Sequence, residues 1–273
     1  LKRRLSEKDR LGLSTGINTF DDLIRDGLEP GDLVLVFSRP AMGKSAFCHQ
    51  ICAEIAAVEK KTVAIFNYQS SLESVLTRIV ANREQISASS LRDNLRRKDD
   101  WDRWERGVNN LKNVPLLIDA PCRKPITELI EYCRRLRLEQ AELAVIFVDD
   151  IQELLKHCDK NMNEGEILYL LKKLAEETQT CIIAASQISR ELESRQDKHP
   201  TLRDLRASGK SLDYFADIAC ALYMESYYDP ECSERDLAEL ILLKNTKGFV
   251  YTLELSYDAK YARFNDRPGV VPD

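Results

Sequence analysis

Residues 33–45 read Leu-Val-Leu-Val-Phe-Ser-Arg-Pro-Ala-Met-Gly-Lys-Ser, and this stretch is the most informative part of the chain. Its first half is apolar without alternation, which predicts a buried parallel strand over Asp32–Ser38. A helical pattern follows from Lys44 to about Val58. A Gly-Lys-Ser turn between such a strand and a helix predicts a phosphate-binding loop, because free N–H groups at a helix start surround phosphate oxygens.

This loop gives particular side chains a chemical role. Lys44 is predicted to reach the β- and γ-phosphates of a nucleotide, and the Ser45 hydroxyl to ligate magnesium. The generic motif begins with a glycine, and Ser38 stands in that position. The residues assigned to nucleotide binding are Arg39, Pro40, Ala41, Met42, Gly43, Lys44, Ser45 and Ala46.

Two later apolar strands end in polar side chains. The strand over Leu143–Asp149 closes with a carboxylate, and Asp150 follows it directly. Because the carboxyl ends of parallel strands meet at one edge of a sheet, Asp149 is predicted to bind magnesium together with Ser45. Gln187 closes the next strand, where it either senses the γ-phosphate or is an ordinary polar residue at a strand end.

The rest of the pattern alternates strands with helices, which predicts an α/β fold with a mostly parallel sheet flanked by helices. A late run of strands predicts antiparallel edge strands. The other predicted strands cover Thr62–Gln69, Val114–Ile118, Cys181–Gln187, Ile218–Met224, Leu240–Lys244 and Val250–Tyr257. The other predicted helices cover Leu72–Ala81, Trp104–Leu111, Ile126–Gln140 and Glu164–Thr178. Residues 12–273 are predicted to form one domain, and residues 1–11 to be a linker remnant of a longer protein.

Composition narrows the class of protein. The chain has 273 residues, of which 44% are hydrophobic and 31% charged, as in globular domains. A net charge of -5 excludes a uniformly basic coat for nucleic acid, although a local basic groove stays compatible with it. No apolar run approaches the roughly 18–20 residues of a membrane span. The 8 cysteines form no Cys-x-x-Cys pair, which favours reduced thiols in a cytoplasmic protein over a zinc site.

Several short motifs together carry a family resemblance. They are Gly-Leu-Ser-Thr-Gly at 12–16, Gly-Leu-Glu-Pro-Gly-Asp-Leu at 27–33, the loop at 39–45, Leu-Lys-Lys-Leu-Ala at 171–175, Ser-Gln-Ile-Ser-Arg at 186–190 and Asp-Leu-Arg-Ala-Ser-Gly at 204–209. With these motifs the chain resembles the DnaB-type replicative helicases, whose motor domain has a RecA-like P-loop NTPase core. That family also lacks the first glycine of the loop.

The resemblance implies a ring, usually a hexamer, that binds ATP and Mg²⁺ between subunits and threads single-stranded DNA. It implies that Gln187 couples the nucleotide to DNA-binding loops and that Arg206, Ser208 and Gly209 face the DNA. Arg206 is alternatively a surface residue paired with Asp204. Primase or a helicase loader would bind through an N-terminal part that this chain lacks. The residues assigned to catalysis are Lys44, Gln69, Asp150, Gln187 and Lys244, of which Gln69 and Asp150 depart from the family pattern.

Two departures from the family pattern concern hydrolysis. Gln69 stands where the family has a catalytic Glu, and an amide takes no proton, so a loss of about 10²–10⁴ in rate is expected. Thr246 stands where the family has an arginine finger, which is worth about 10³–10⁵. Lys244 remains as a point charge in that motif.

Substitute residues and two functions stay open. Asp150 is either a stand-in base or a solvated loop acid, and Lys247 either replaces the missing finger or does not. The chain is accordingly a slow ATP-dependent DNA helicase motor or a non-hydrolysing, ATP-dependent ring or clamp that binds DNA or a helicase partner. A recombinase-like filament shares the fold, but the match over 186–209 disfavours it.

Overall fold

A computed structural model of the chain describes residues 12–87, 90–91, 98–205 and 214–267. Within these ranges the strands belong to one nine-stranded sheet. They are β1 (Leu33–Ser38), β2 (Thr62–Asn67), β3 (Leu116–Asp119), β4 (Leu143–Asp149), β5 (Cys181–Gln187), β6 (Ile218–Tyr223), β7 (Leu237–Asn245), β8 (Thr252–Asp258) and β9 (Arg263–Asp266). Their spatial order is β3-β2-β4-β5-β1-β6-β7-β8-β9.

Helices connect and cover these strands. They are α1 (Asn18–Leu23), α2 (Lys44–Glu54), α3 (Leu72–Glu84), α4 (Lys98–Leu111), α5 (Ile126–Glu139), α6 (Ile151–Leu155) and α7 (Glu164–Thr178). A π-helical turn, Ile55–Glu59, continues α2. In the described ranges no helix has the length and apolar character that crossing a bilayer demands.

The sheet direction confirms the predicted fold class. Strands β3, β2, β4, β5, β1 and β6 are parallel, and β7, β8 and β9 continue the sheet antiparallel. Every residue of β1 and β2 is buried, which explains why both read as unbroken apolar runs.

Some predicted boundaries were wrong, and three short elements were missed. Helix α4 covers Lys98–Leu111, whereas the predicted helix began at Trp104. The prediction missed the first turns because they are charged, yet the carboxylate of Asp100 is buried there, with its Oδ1 2.5 Å from Nη2 of Arg103. Strand β9 has four residues with little apolar content, and α1 and α6 have six and five residues. Such short elements show too few residues for a periodic pattern.

Strand direction decides which side chains meet. The ends of β1, β2, β4 and β5 lie at one edge, where Ser38 pairs in register with Gln187 and Asn67 with Asp149. Strand β7 runs the other way, so Lys244 is level with Ala219 near the start of β6. The sheet therefore separates the phosphate loop from the Lys244 end of β7.

Candidate nucleotide-binding site

The loop between β1 and α2 has the backbone shape of an anion cradle. Ala41 and Gly43 have positive φ angles of 66° and 83°. A side chain at Gly43 is disfavoured twice, by its left-handed backbone and by Phe264, whose Cζ would lie 2.9 Å from an added Cβ. Gly43 is the N-cap of α2, so the N–H groups of the first helical turn face the cradle.

Lys44 is a buried cation beside this cradle. The residue is 8% exposed, and its Nζ makes no hydrogen bond to any part of the chain that the structure describes. Its ion-pair partner is Asp150, with Oδ2 3.6 Å from Nζ. Buried ammonium groups normally have hydrogen-bond acceptors, so this lysine fits a site where a phosphate supplies them.

Ser45 and Asp149 bring two hard oxygen ligands together. Ser45 Oγ donates to Asp149 Oδ1 at 3.1 Å. Burial raises the pKa of Asp149, and the charge of Lys44 opposes that shift. Among the described residues no cluster of three or more His, Cys, Asp or Glu side chains is placed to hold a metal. The pair suits Mg²⁺, which commonly takes one or two protein ligands and completes its shell with phosphate and water.

Asp150 accepts hydrogen bonds from two glutamine side chains. The Nε2 of Gln69 lies 3.2 Å and the Nε2 of Gln187 lies 3.0 Å from its Oδ2. Its other oxygen accepts from the N–H of Glu153 at 2.9 Å and caps α6. Asp150 is 2% exposed, so the interpretation as a solvated loop acid was wrong.

Lys44, Ser45 and Asp150 line one cavity of about 450 Å³, whereas Asp149, which is 6% exposed, lies outside its lining. The loop forms its floor, while Gln69, Asp150 and Gln187 lie at the strand ends. Sequence reasoning missed the groups that close the cavity from farther along the chain: Arg78 and Asn82 on α3, and Lys260 and Tyr261 between β8 and β9. No motif marks them, because their elements reach the cavity only through the tertiary fold.

Lys244 and Lys247, which flank the position of the missing arginine finger, lie away from this cavity. Lys244 Nζ donates to the Tyr214 carbonyl at 3.2 Å. Lys247 is paired within its own chain, with Asp32 at 2.6 Å and Glu29 at 3.2 Å. These two carboxylates already pair with the Lys247 ammonium, which argues against it as a replacement finger for a neighbouring copy.

The predicted DNA-binding residues Arg206, Ser208 and Gly209 lie outside the described residues. The segment before them is tied to the phosphate loop. Arg39 donates to Glu193 Oε1 at 2.9 and 2.6 Å and to the Ile188 carbonyl at 2.7 Å. Asp204, the alternative partner of Arg206, pairs with Arg195 at 3.1 Å.

A phosphate cradle at the end of the central strand β1, with a carboxylate at the end of β4, a parallel strand separated from β1 by β5, defines a P-loop nucleotide-binding domain. The model of the DnaB-like helicase C-terminal domain matches residues 12–266. The chain belongs to this family.

Relatives agree with the family match. The chain is 34% identical over 260 residues to "Replicative DNA helicase DnaC" of Bacillus subtilis (strain 168), covering 94% of this chain and 57% of that protein. It is 32% identical over 257 residues to "Replicative DNA helicase DnaB" of Geobacillus stearothermophilus, covering 93% and 56%. The chain therefore spans less than two thirds of these relatives.

Two solved structures share the fold. "ATPase Domain of G40P" superposes with a TM-score of 0.86 at 25% identity, covering 96% of this chain and 93% of that one. "The Structure Of A DnaB-Like Replicative Helicase And Its Interactions With Primase" gives a TM-score of 0.86 at 26% identity, covering 96% and 65%. The likeness to an ATPase domain extends over nearly the whole described fold.

Proposed function

We propose that this chain is the ATP-dependent motor domain of a replicative-type DNA helicase, which translocates on single-stranded DNA and unwinds duplex. The observation that carries the proposal is the buried Lys44 ammonium, which makes no hydrogen bond within the described residues and lies beside a glycine-shaped anion cradle. Membership of the DnaB-like helicase family supports the DNA part of the proposal.

The proposed site binds Mg²⁺-ATP with residues of the loop and of β4. Loop N–H groups and Lys44 bind the phosphates, while Ser45 and Asp149 would hold Mg²⁺. When bound, Mg²⁺ would neutralise part of the negative charge of the phosphates. Gln187 ends β5 beside Asp150 and links the phosphate end of the cavity to the segment that leads to Arg206.

We assign the base role to Asp150, since Gln69 holds the position of the family's Glu. In the structure Asp150 balances the charge of Lys44 at 3.6 Å. When phosphate draws Lys44 away, the two glutamine amides still orient Oδ2. A buried, oriented carboxylate is suited to accept a proton from water.

Assembly into a ring completes the proposal. Lys244 lies at the sheet edge opposite its own phosphate loop, so it reaches a phosphate only in a second copy. We therefore propose a homo-oligomer, by resemblance a hexamer, with DNA contacted by Arg206, Ser208 and Gly209. Primase or a loader is the proposed partner of the full-length protein. We place it in the cytoplasm, since all eight cysteines are free thiols.

The second candidate is a ring or clamp that binds ATP without hydrolysing it. Gln69 in the turn after β2 and Thr246 after β7 favour it, since neither side chain performs the role of the residue it replaces. Such a protein would bind DNA in response to ATP and would release no phosphate.

Steady-state ATP turnover with and without single-stranded DNA separates the two candidates. The motor predicts DNA-stimulated phosphate release that Asp150→Asn abolishes, with Asp159→Asn, an exposed acid beyond α6, as the control that retains it. The clamp predicts ATP-dependent DNA binding without turnover. Failure to bind ATP at all would exclude both.

A further inference from the structure

Asn67, the last residue of β2, lies against the proposed magnesium carboxylate. It is 1% exposed and pairs in register with Asp149. Its Nδ2 donates to Asp149 Oδ2 at 2.9 Å. An amide buried this deeply is held in a single arrangement by its contacts, so its orientation determines that of the carboxylate next to it.

The two oxygens of Asp149 have different partners. Oδ2 receives the amide of Asn67, whereas Oδ1 receives the hydroxyl of Ser45 at 3.1 Å. Only the Oδ1 side therefore points toward the phosphate loop. A buried carboxylate with one oxygen already bound presents the other in one direction, and this favours one mode of ligation over several.

The other end of the Asn67 side chain shapes the turn after β2. Its Oδ1 accepts from the N–H of Gln69 at 3.1 Å and from that of Ser70 at 2.6 Å. This Asx-type turn directs the Gln69 side chain to Asp150, where Nε2 lies 3.2 Å from Oδ2. One amide thus contacts both the carboxylate of Asp149 and the turn that carries Gln69.

We propose that Asn67 is a positioning residue for the metal site: it occupies Asp149 Oδ2 and so leaves Oδ1, beside Ser45 Oγ, to face a divalent cation. The inference rests on the proposed function, because it requires a Mg²⁺-nucleotide at the loop. Removing a group that orients a ligand typically lowers metal affinity by about 10–100-fold.

The test is a Mg²⁺ titration of nucleotide binding, followed by the fluorescence of ribose-labelled ADP. Asn67→Ala and Asn67→Leu, which keeps the branched shape of the amide but has no polar atoms, are expected to need about 10–100-fold more Mg²⁺ for half-maximal binding. Binding of the same ADP in EDTA, which depends on Lys44 and the loop, is expected to match that of the wild type. Both variants lose the amide hydrogen bonds, and only Asn67→Ala also leaves a cavity, so a shared effect comes from the lost hydrogen bonds.

Asn163→Ala is the matched control. Asn163 also accepts a backbone N–H, from Glu166 at 3.2 Å, but it caps α7 away from the cavity. It is expected to lower thermal stability without moving the Mg²⁺ midpoint. A wild-type midpoint in both Asn67 variants would overturn the role of Asn67 alone. A wild-type protein that binds no ADP at any Mg²⁺ concentration would overturn the proposed function and this inference with it.

Discussion

The loop after β1 and the turn after β2 reach the same cavity, yet they differ in how far they keep the parts that ATP chemistry requires. The loop has its left-handed glycine, a buried lysine and a serine beside Asp149. The turn has a glutamine where the family resemblance implies a base. In the proposed site, binding and hydrolysis therefore depend on separate elements, and a change in one need not affect the other.

Restoring the family's hydrolytic groups should give the largest effect. Gln69→Glu together with Thr246→Arg is expected to raise DNA-stimulated kcat by about 10²–10⁴, which is the range for restoring a positioned base. The gain from the restored arginine need not add to it. The measurement is phosphate release at saturating ATP. Gln140→Glu, an exposed change at the end of α5, is the control. A fast wild type that the double variant leaves unchanged would show that the turn is already competent.

Removing Lys44 tests whether the loop after β1 binds ATP. Lys44→Ala is expected to weaken ATP binding by on the order of 100-fold, because a buried charged contact to phosphate is worth about 2–5 kcal/mol. Calorimetric titration measures it. The control Lys61→Ala removes an exposed lysine paired with Glu142 and should bind ATP normally. Equal ATP affinity in Lys44→Ala and wild type would show that the loop after β1 does not bind the phosphates.

Adding one methyl group to the cradle tests its backbone shape. Gly43→Ala forces an alanine into a left-handed conformation against Phe264 and should cost about 1–2 kcal/mol of stability. It should also weaken ATP binding, because the loop N–H groups move. The readouts are thermal unfolding and ATP affinity, with Gly165→Ala on α7 as the control for affinity. A variant as stable as the wild type would mean that the loop adapts.

The smallest expected effect is on the pH dependence of stability and concerns His199, which lies outside both the loop after β1 and the turn after β2. Burial lowers the pKa of His199, but its hydrogen bond to Asp197 and the charge of Glu239 outweigh this and raise it above 6.5. The folded protein thus binds this proton more tightly, so its stabilisation is complete below about pH 6.5 and is lost as pH rises through the folded pKa. Solvent screening limits it to a few tenths of a kcal/mol.

The measurement compares the melting temperature of wild type and Glu239→Gln at pH 5.5 and pH 8.5. The difference should be larger at the lower pH. A difference that does not depend on pH would exclude a proton held between the two carboxylates.

The sequence predicted the parallel core well, because buried strands such as β1 and β4 leave unbroken apolar runs. It also indicated which strand ends would meet, since parallel strands place their carboxyl ends together. It did not predict that Asp150 would be buried between Gln69 and Gln187, because burial of an acid depends on side chains distant in the chain. Asn67 left only a weak signal, a turn-forming residue at the end of an apolar run.

The antiparallel direction of β7 decides which phosphate Lys244 can reach. Because β7 runs against β6, the end that carries Lys244 points away from the protein's own cradle. No folding motion that preserves the sheet brings the two together in a single copy. Under the proposed function, any help that Lys244 gives to phosphate chemistry therefore comes from another copy of the chain, and this help is lost as the protein is diluted.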